Sequence, residues 1–478
     1  MKTVLLICAE EWRYWMRSRF VLVSLFCLSF LIGASSLLTA SRMSKARHER
    51  IHHQSHAEET FKAQPDRHPH RMVHYGHYVF RSPAPLAIFD PGIDEVTGQS
   101  IFLEGHHQNT AMFSDERKKP RLGGVGSLSV ARVYQLLVPL FLIAIGYPSL
   151  IRERESQTLR TLLAQGVTSL QILLGKGLAL GALVFWILLP ALCLIAYAMT
   201  LGEALVLGGV MYLSYGLYFG VWVLLILFVS TMVKERGVAL GSLLAIWCLI
   251  SLVLPRVGVA VISAWSPIDG KFQTDIKMMR DIRALGNGHN ASDPKFAQFK
   301  AQTLQQYGVK TLEELPINYR GLLSQVSERK LTHVMNEYAH RRMRQESRQS
   351  EMLRLMSYLS PFVAIDFISR DLAGTDLASF HRFLREAEEL RFKFVQHLNK
   401  VHEEQLSYTL DVNRNANDQG LDAARVSSKN WQSLEEFRFS VASVSSRMKQ
   451  ALMPFSTLVW WFGLLLGGMF CTSKKLTI

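Results

Sequence analysis

Hydrophobic positions along this chain come in blocks. Uncharged, largely apolar runs occupy 20–41, 133–151, 177–202, 204–233, 237–255 (in a fifth span drawn over 237–263) and 451–473, and each meets or nearly meets the roughly 20 residues a helix needs to cross about 30 Å of hydrocarbon. The pattern predicts a mainly α membrane protein with six transmembrane helices. Residues 1–19 precede the first span as an interfacial elbow helix, with Leu5, Cys8, Trp12, Trp15 and Met16 on one face and Glu10, Glu11, Arg13 and Arg17 mostly opposite; tryptophan and basic residues on such a helix favour the headgroup plane. A secretory signal peptide is the rival for this start, but the apolar run exceeds the roughly 7–15 residues of such a segment.

Between the spans lie a short charged link, 152–176, and two long hydrophilic stretches, 42–132 and 264–450. The second stretch reads as helical, with amphipathic helices over 319–357 and 376–410, the latter with Phe380, Phe383, Leu384, Ala387 and Leu390 along one face. In the first, Tyr78–Arg81 suggests a short strand and Asp90-Pro91-Gly92 a turn; Asn287-Gly288 and Asn417–Gly420 suggest loops in the second. Pro139, Pro148 and Pro190 predict kinked spans. Gly216 and Gly220, and Gly463 and Gly467, are small residues four apart that permit close helix packing within the chain or between copies.

Charge orients the spans. Arg13, Arg17 and Arg19, then Arg152, Arg154, Arg160 and Lys176, then Lys234 and Arg236, then Lys474 and Lys475 all fall on one side when the spans are even in number. Short Lys/Arg-rich connections face the cytoplasm, so both termini are expected there and both long stretches outside. The formal net charge of +14 then requires no nucleic acid. None of the five cysteines lies in the long stretches, which must fold without disulfides. No charged residue lies centrally in a span, which disfavours ion coupling; Glu203 and Arg256, near span ends, read as interfacial side chains that reach towards water.

The first hydrophilic stretch is dense in histidine. His48/His52, His52/His56 and His70/His74 are spaced four apart, which brings imidazoles together on a helix and suits zinc or copper. The simpler reading is a mobile polar loop with incidental metal affinity. His48-Glu49-Arg50-Ile51-His52 also matches the H-E-x-x-H pattern of zinc proteases, though no third ligand is identifiable.

The link 152–176 carries the functional signal. Arg152, Glu153, Arg154 and Glu155 alternate in sign; Thr158 follows, then Leu159, Leu162 and Leu163 on one helical stripe; Gly166 breaks that helix and Thr168 is placed to cap the next. This run, ending in Gly175-Lys176, resembles the segment between the second and third spans of ABC type-2 exporter permeases, where an acidic start, Thr-Leu, Leu-Leu and Gly-Lys recur. Gln157 stands where that pattern has Gly. The stretches His74–Leu86, Phe89–Gly92, Phe102–Asn109, Leu359–Phe362 and Leu372–Asp376 resemble the subgroup with enlarged outer domains, akin to gliding-motility and nitrous-oxide-reductase maturation permeases.

The resemblance implies a coupling helix that contacts a separate ATP-binding cassette ATPase subunit, with ATP and Mg bound there. It also implies a second permease copy or paralogue, surrounding lipid, a periplasmic partner protein and a bacterial inner-membrane location. This chain has no phosphate-binding loop of its own, because Gly175-Lys176 lacks both the earlier Gly and the following Ser or Thr. It is therefore expected not to be an enzyme. The reading that competes with an exporter permease is a metal-binding receptor working through its His-rich stretch.

Overall fold

Six helices are long and apolar enough to cross a membrane: Arg19–Lys62, Val130–Glu155, Ser169–Thr200, Leu205–Met232, Arg236–Trp265 and Val444–Ser473. They are the first to sixth apolar helices below, and the chain is mostly helical with the build of a multi-pass membrane protein. The computed structural model describes residues 1–109, 111, 129–416, 418–433 and 435–474. Lys475 and Asn417, both used in the sequence reading, lie outside them.

The N-terminal helix, Lys2–Arg17, ends at Ser18, whose side chain caps the first apolar helix. Its polar face differs from the one expected. Glu11 is buried with Trp15, whereas Leu5 and Met16 are exposed, because the helix packs on the third apolar helix and turns Glu11 towards that helix's charges. The first apolar helix runs on to Lys62 as one continuous rod, so the boundary at residue 41 marks a change in polarity and not an end of the helix.

The second apolar helix is interrupted twice, by a wide π turn at Val133–Leu137 before Pro139 and by a break after Gly146 at Pro148. Buried hydroxyls bridge these irregularities. Tyr134 donates to the Ile187 carbonyl at 2.7 Å, beside Pro190, and Tyr218 to that of Gln135 at 2.7 Å. The fourth and sixth helices pack closely, with Gly220 against the Phe462 ring and Gly468 against that of Phe228; Gly463 and Gly467 face open space.

Residues 353–373, which hydropathy assigns to the second hydrophilic stretch, pack among the fourth, fifth and sixth apolar helices. The long helix Tyr319–Leu355 enters this position, a tight turn follows at Met356–Tyr358, and Pro361–Ala373 returns, buried on almost every side. Ser360 Oγ donates to the carbonyl of Ile250, midway along the fifth helix, at 2.8 Å, and Trp461 of the sixth donates to that of Ser357 at 3.3 Å. Its charges travel with it: Arg354 makes a two-bond pair with buried Asp371 and also reaches the Gln450 carbonyl. Ionisable groups thus lie against the spans although none is central in any span sequence.

Glu203 and Arg447 correct a second expectation. Glu203 does not reach towards water. Its carboxylate is buried and accepts two hydrogen bonds from Arg447, at 2.8 and 3.0 Å, together with the Leu86 amide, while Arg447 also binds the Leu372 carbonyl. Arg256 is exposed, as expected.

The hydrophilic stretches form one helical head. Helices Tyr319–Leu355 and Leu377–Gln405 lie against each other, and the short helix Pro69–Tyr75 packs on the second of them. The expected strand is present as His77–Phe80, paired antiparallel with Ser100–Leu103, and the turn at Gly92 has φ +50°. Asp418–Ala423 is a short helix where a loop was expected.

Candidate functional site

Two charged clusters sit at opposite poles of the chain. The first surrounds the link. Ser149–Glu155 and Thr158–Ala164 form two short helices joined at Gln157, whose φ of +59° is the left-handed conformation that glycine adopts most readily. The position where the permease pattern has Gly therefore makes a glycine-like turn without one. Gly166, at φ +85°, ends the second helix, and Thr168 with Gln171 forms a reciprocal capping box on the third apolar helix.

The charges of the link mostly turn inward. Lys176 Nζ lies 2.5 Å from Glu11, 3.1 Å from Glu153 and 2.8 Å from the Ser149 carbonyl. Arg152 pairs with Glu11 at 2.7 Å and stacks over the Tyr14 ring. Arg154 donates to the carbonyls of Ser230, Thr231 and Val233 at the end of the fourth helix, groups that have no partner within that helix. Glu155 reaches Arg236 at 2.5 Å and stays partly exposed. Leu159 is buried, and Leu162 and Leu163 half-buried, against the apolar bundle. The open surface runs from Glu155 to Thr168, and on the second short helix it consists of Thr158, Arg160, Thr161, Ala164 and Gln165.

The second cluster lies in the head. His68 caps helix Pro69–Tyr75, and the helix sets His70 and His74 on one face with their Nε2 atoms 3.2 Å apart. Two glycines bring in the other members. Gly105 donates its amide to the Val73 carbonyl at 2.9 Å, an approach a Cβ would block by meeting Val73 at 2.1 Å, and this carries His106 to the pair. Gly288 presses on Ser327, where a Cβ would meet the hydroxyl at 2.1 Å, and so seats His289 from a loop held by Asn287 and Asp293 side chains. Ring centroids of His70, His106 and His289 are 4.7 to 5.6 Å apart.

Behind them, Glu328 accepts from His106 Nδ1 at 2.8 Å and from Arg391 at 2.6 Å. Burial alone would raise Glu328, but the His106 hydrogen bond and the Arg391 charge hold it down at about 2. Burial, then the neighbouring imidazoles, push His70 to about 2 and His289 to about 4, so these rings stay neutral well below pH 7. His106 itself has φ +65°, a strained conformation for a residue with a side chain.

The other predicted histidines sit elsewhere. His48, His52 and His56 lie along the first helix, where His52 and His56 stack at 6.4 Å and both face solvent; no third ligand gathers around His48 and His52 among the described residues. A separate buried group, His68, His402 and Asp411, is gathered on the carboxylate, with His402 Nδ1 left without a partner. Asp411 accepts from both histidines at 2.9 Å, from Asn318 at 3.3 Å and from Arg414 at 2.5 Å. Burial opposes ionisation of Asp411, but these donors outweigh it and hold the carboxyl far below its ordinary range.

Spacing four apart was the only signal for His70 and His74; His106 and His289 carry none, since they are distant in sequence. A family model described as a domain of unknown function (DUF3526) matches residues 273–440, less than half of the chain, which includes His289, Glu328, Arg391 and Pro361–Ala373. No curated protein matches the chain.

Proposed function

We propose that this chain is the membrane-spanning permease subunit of an ABC type-2 exporter-like transporter, or of a related machine that transmits force, driven by ATP hydrolysis on a separate subunit. In this reading the six apolar helices span a bacterial inner membrane with the link 152–176 and both termini in the cytoplasm and the head in the periplasm. The observation that carries it is the mounting of the link. Its exposed strip, Thr158, Arg160, Thr161, Ala164 and Gln165, is a free docking surface, while its inward charges are bolted to three other elements.

Those bolts supply a mechanical path. Glu153 and Arg152 tie the link to Lys176 on the third helix and Glu11 on the N-terminal helix, and Arg154 ties it to the end of the fourth. A push on the exposed strip would move these helices together, and the fourth carries the motion to residues 353–373 through the Tyr215–Ser369 hydrogen bond. The head follows through helix Tyr319–Leu355. Two copies, or this chain with a paralogue, would complete the unit, and the open Gly463/Gly467 face is available for such packing.

The test is mild-detergent purification of the tagged chain from its native membrane, with mass spectrometry of what co-purifies. An ATPase subunit that is recovered with the wild-type chain and lost with Arg160→Glu supports the proposal. An abundant, intact chain that brings no ATPase refutes it. Charge reversal at Glu153 is a poor probe, because it would break the internal pair with Lys176 as well as any external contact.

A further inference from the structure

We propose that His70, His74, His106 and His289 form a binding site for one divalent ion of the borderline class, zinc or copper(II), at the seam between the two hydrophilic stretches. The proposal is independent of the permease reading. Four features of the cluster point to a metal ion and not to a hydrogen-bonded core.

The first is the donor set. One ring nitrogen each of His70, His106 and His289 lies within 4.8 Å of the others, and His74 faces His70 at 3.2 Å. Zinc–imidazole bonds of about 2.0–2.1 Å in a tetrahedron place neighbouring nitrogens about 3.3 Å apart, so the His70–His74 pair already stands at a ligand–ligand distance. Rotation of His289, on its exposed loop, closes the remaining gap. Imidazoles without a thiolate or a ring of carboxylate oxygens suit zinc or copper(II) and not calcium or magnesium.

The second is what the cluster leaves unsatisfied. His106 Nε2 is buried with no hydrogen-bond partner, and so is His70 Nδ1, on the other side of that ring from the Nε2 that faces His74. Buried polar atoms are normally paired, so an unpaired lone pair turned towards three other imidazoles is the arrangement a metal completes.

The third is the support. Glu328 accepts the Nδ1 proton of His106, which fixes the tautomer that leaves Nε2 free to ligate, and Arg391 in turn holds Glu328. A carboxylate behind a ligating histidine orients the ring and raises its basicity. The fourth is cost: the strained backbone at His106 and the two tight glycine approaches serve to bring these rings together.

Three donors come from residues 70–106 and the fourth from a loop near 289, so an ion would act as a clasp between segments that are distant in sequence. Loading would hold the 286–293 loop against helix Pro69–Tyr75. Proton uptake by the imidazoles competes with the ion, so affinity falls on acidification.

The experiment uses the full chain in detergent, stripped with a chelator and then dialysed against zinc chloride or, separately, copper(II) chloride, with bound metal counted by mass spectrometry. About one ion per chain is expected in at least one arm at micromolar free metal, and the arm that binds more tightly names the ion. His106→Ala and His289→Ala should each weaken it at least tenfold, and Glu328→Gln about 10–100-fold. The His48→Ala/His52→Ala/His56→Ala triple variant should bind as wild type. His289 sits on an exposed loop, so its variant keeps the test alive if His106→Ala fails to fold. Metal loading should also slow proteolysis within 286–293 in wild type but not in His289→Ala. No binding below about millimolar in either arm, or binding lost only in the triple variant, overturns the proposal.

Discussion

The two charged clusters at the poles of this molecule are built from similar numbers of ionisable side chains and end in opposite states. Around Lys176, two acidic and two basic groups pair off inside the protein with Glu11 Oε2 alone left unpaired among them, and the carbonyls at the end of the fourth helix are taken up by Arg154. Around His106, neutral rings converge and leave nitrogen lone pairs unused. A closed cluster holds elements in place; an open one can accept something from outside. The comparison teaches that charge in the sequence of the link does not by itself make a docking surface, since Glu153, Arg152 and Arg154 turn inward and the second short helix presents only Thr158, Arg160, Thr161, Ala164 and Gln165.

The largest effect expected from breaking the comparison is at the closed pole. Lys176→Met strands Glu11 and Glu153 with too little positive charge in a site where Lys176 is 1% exposed, and removing one partner of a buried pair costs about 3–5 kcal/mol. Thermal unfolding in detergent should show a large drop in midpoint, and a midpoint within error of wild type would mean the cluster is not closed. Arg154→Ala comes next, at about 2 kcal/mol, because it frees three carbonyls that had a charged donor. That loss should appear as lower stability with no change in metal binding by the head.

Acidification sharpens the contrast from the other side. Histidines in the unfolded chain take up protons near 6.5, while His70 and His289 stay neutral in the folded protein to about 2 and about 4. Their folded values are depressed, so the unfolded state binds more protons below 6.5 and stability falls as pH falls through that window. For His70 the loss between pH 6.5 and 5 is about 1–2 kcal/mol by linkage. Glu328 and Asp411 add to it only below their ordinary range near 4. Unfolding midpoints of the metal-free protein from pH 7 to 5 check this, and the slope should shrink in a His70→Ala/His289→Ala variant.

The smallest stability effect is expected at the free strip. Arg160→Glu should change stability by no more than about 0.5 kcal/mol, as surface changes usually do, and on the permease proposal it should abolish co-purification of an ATPase subunit. A marked destabilisation would show that the strip belongs to the closed pole.

What the sequence by itself determined is whatever depends on neighbours along the chain. The six apolar runs were legible because crossing hydrocarbon demands about 20 uncharged residues in a row. The helix of the link, its stop at Gly166 and its capping by Thr168 were legible because capping is local. The i,i+4 spacing of His70 and His74 was legible for the same reason.

Tertiary structure decided the rest. Glu11 was read onto a polar helix face, yet it is buried because Lys176 and Arg152 arrive from elsewhere in the chain. Residues 353–373 carry Arg354, Asp366, Arg370 and Asp371 and are split by a turn at Met356–Tyr358, so they do not announce themselves as part of the bundle, and only packing against Ile250, Tyr215 and Trp461 puts them there. His106 and His289 share no spacing with His70; Gly105 and Gly288 bring them to it through approaches that no local pattern records. Hydropathy and capping act over one or two turns of chain, whereas charge pairing and ligand geometry depend on distances in space. Folding alone sets those distances.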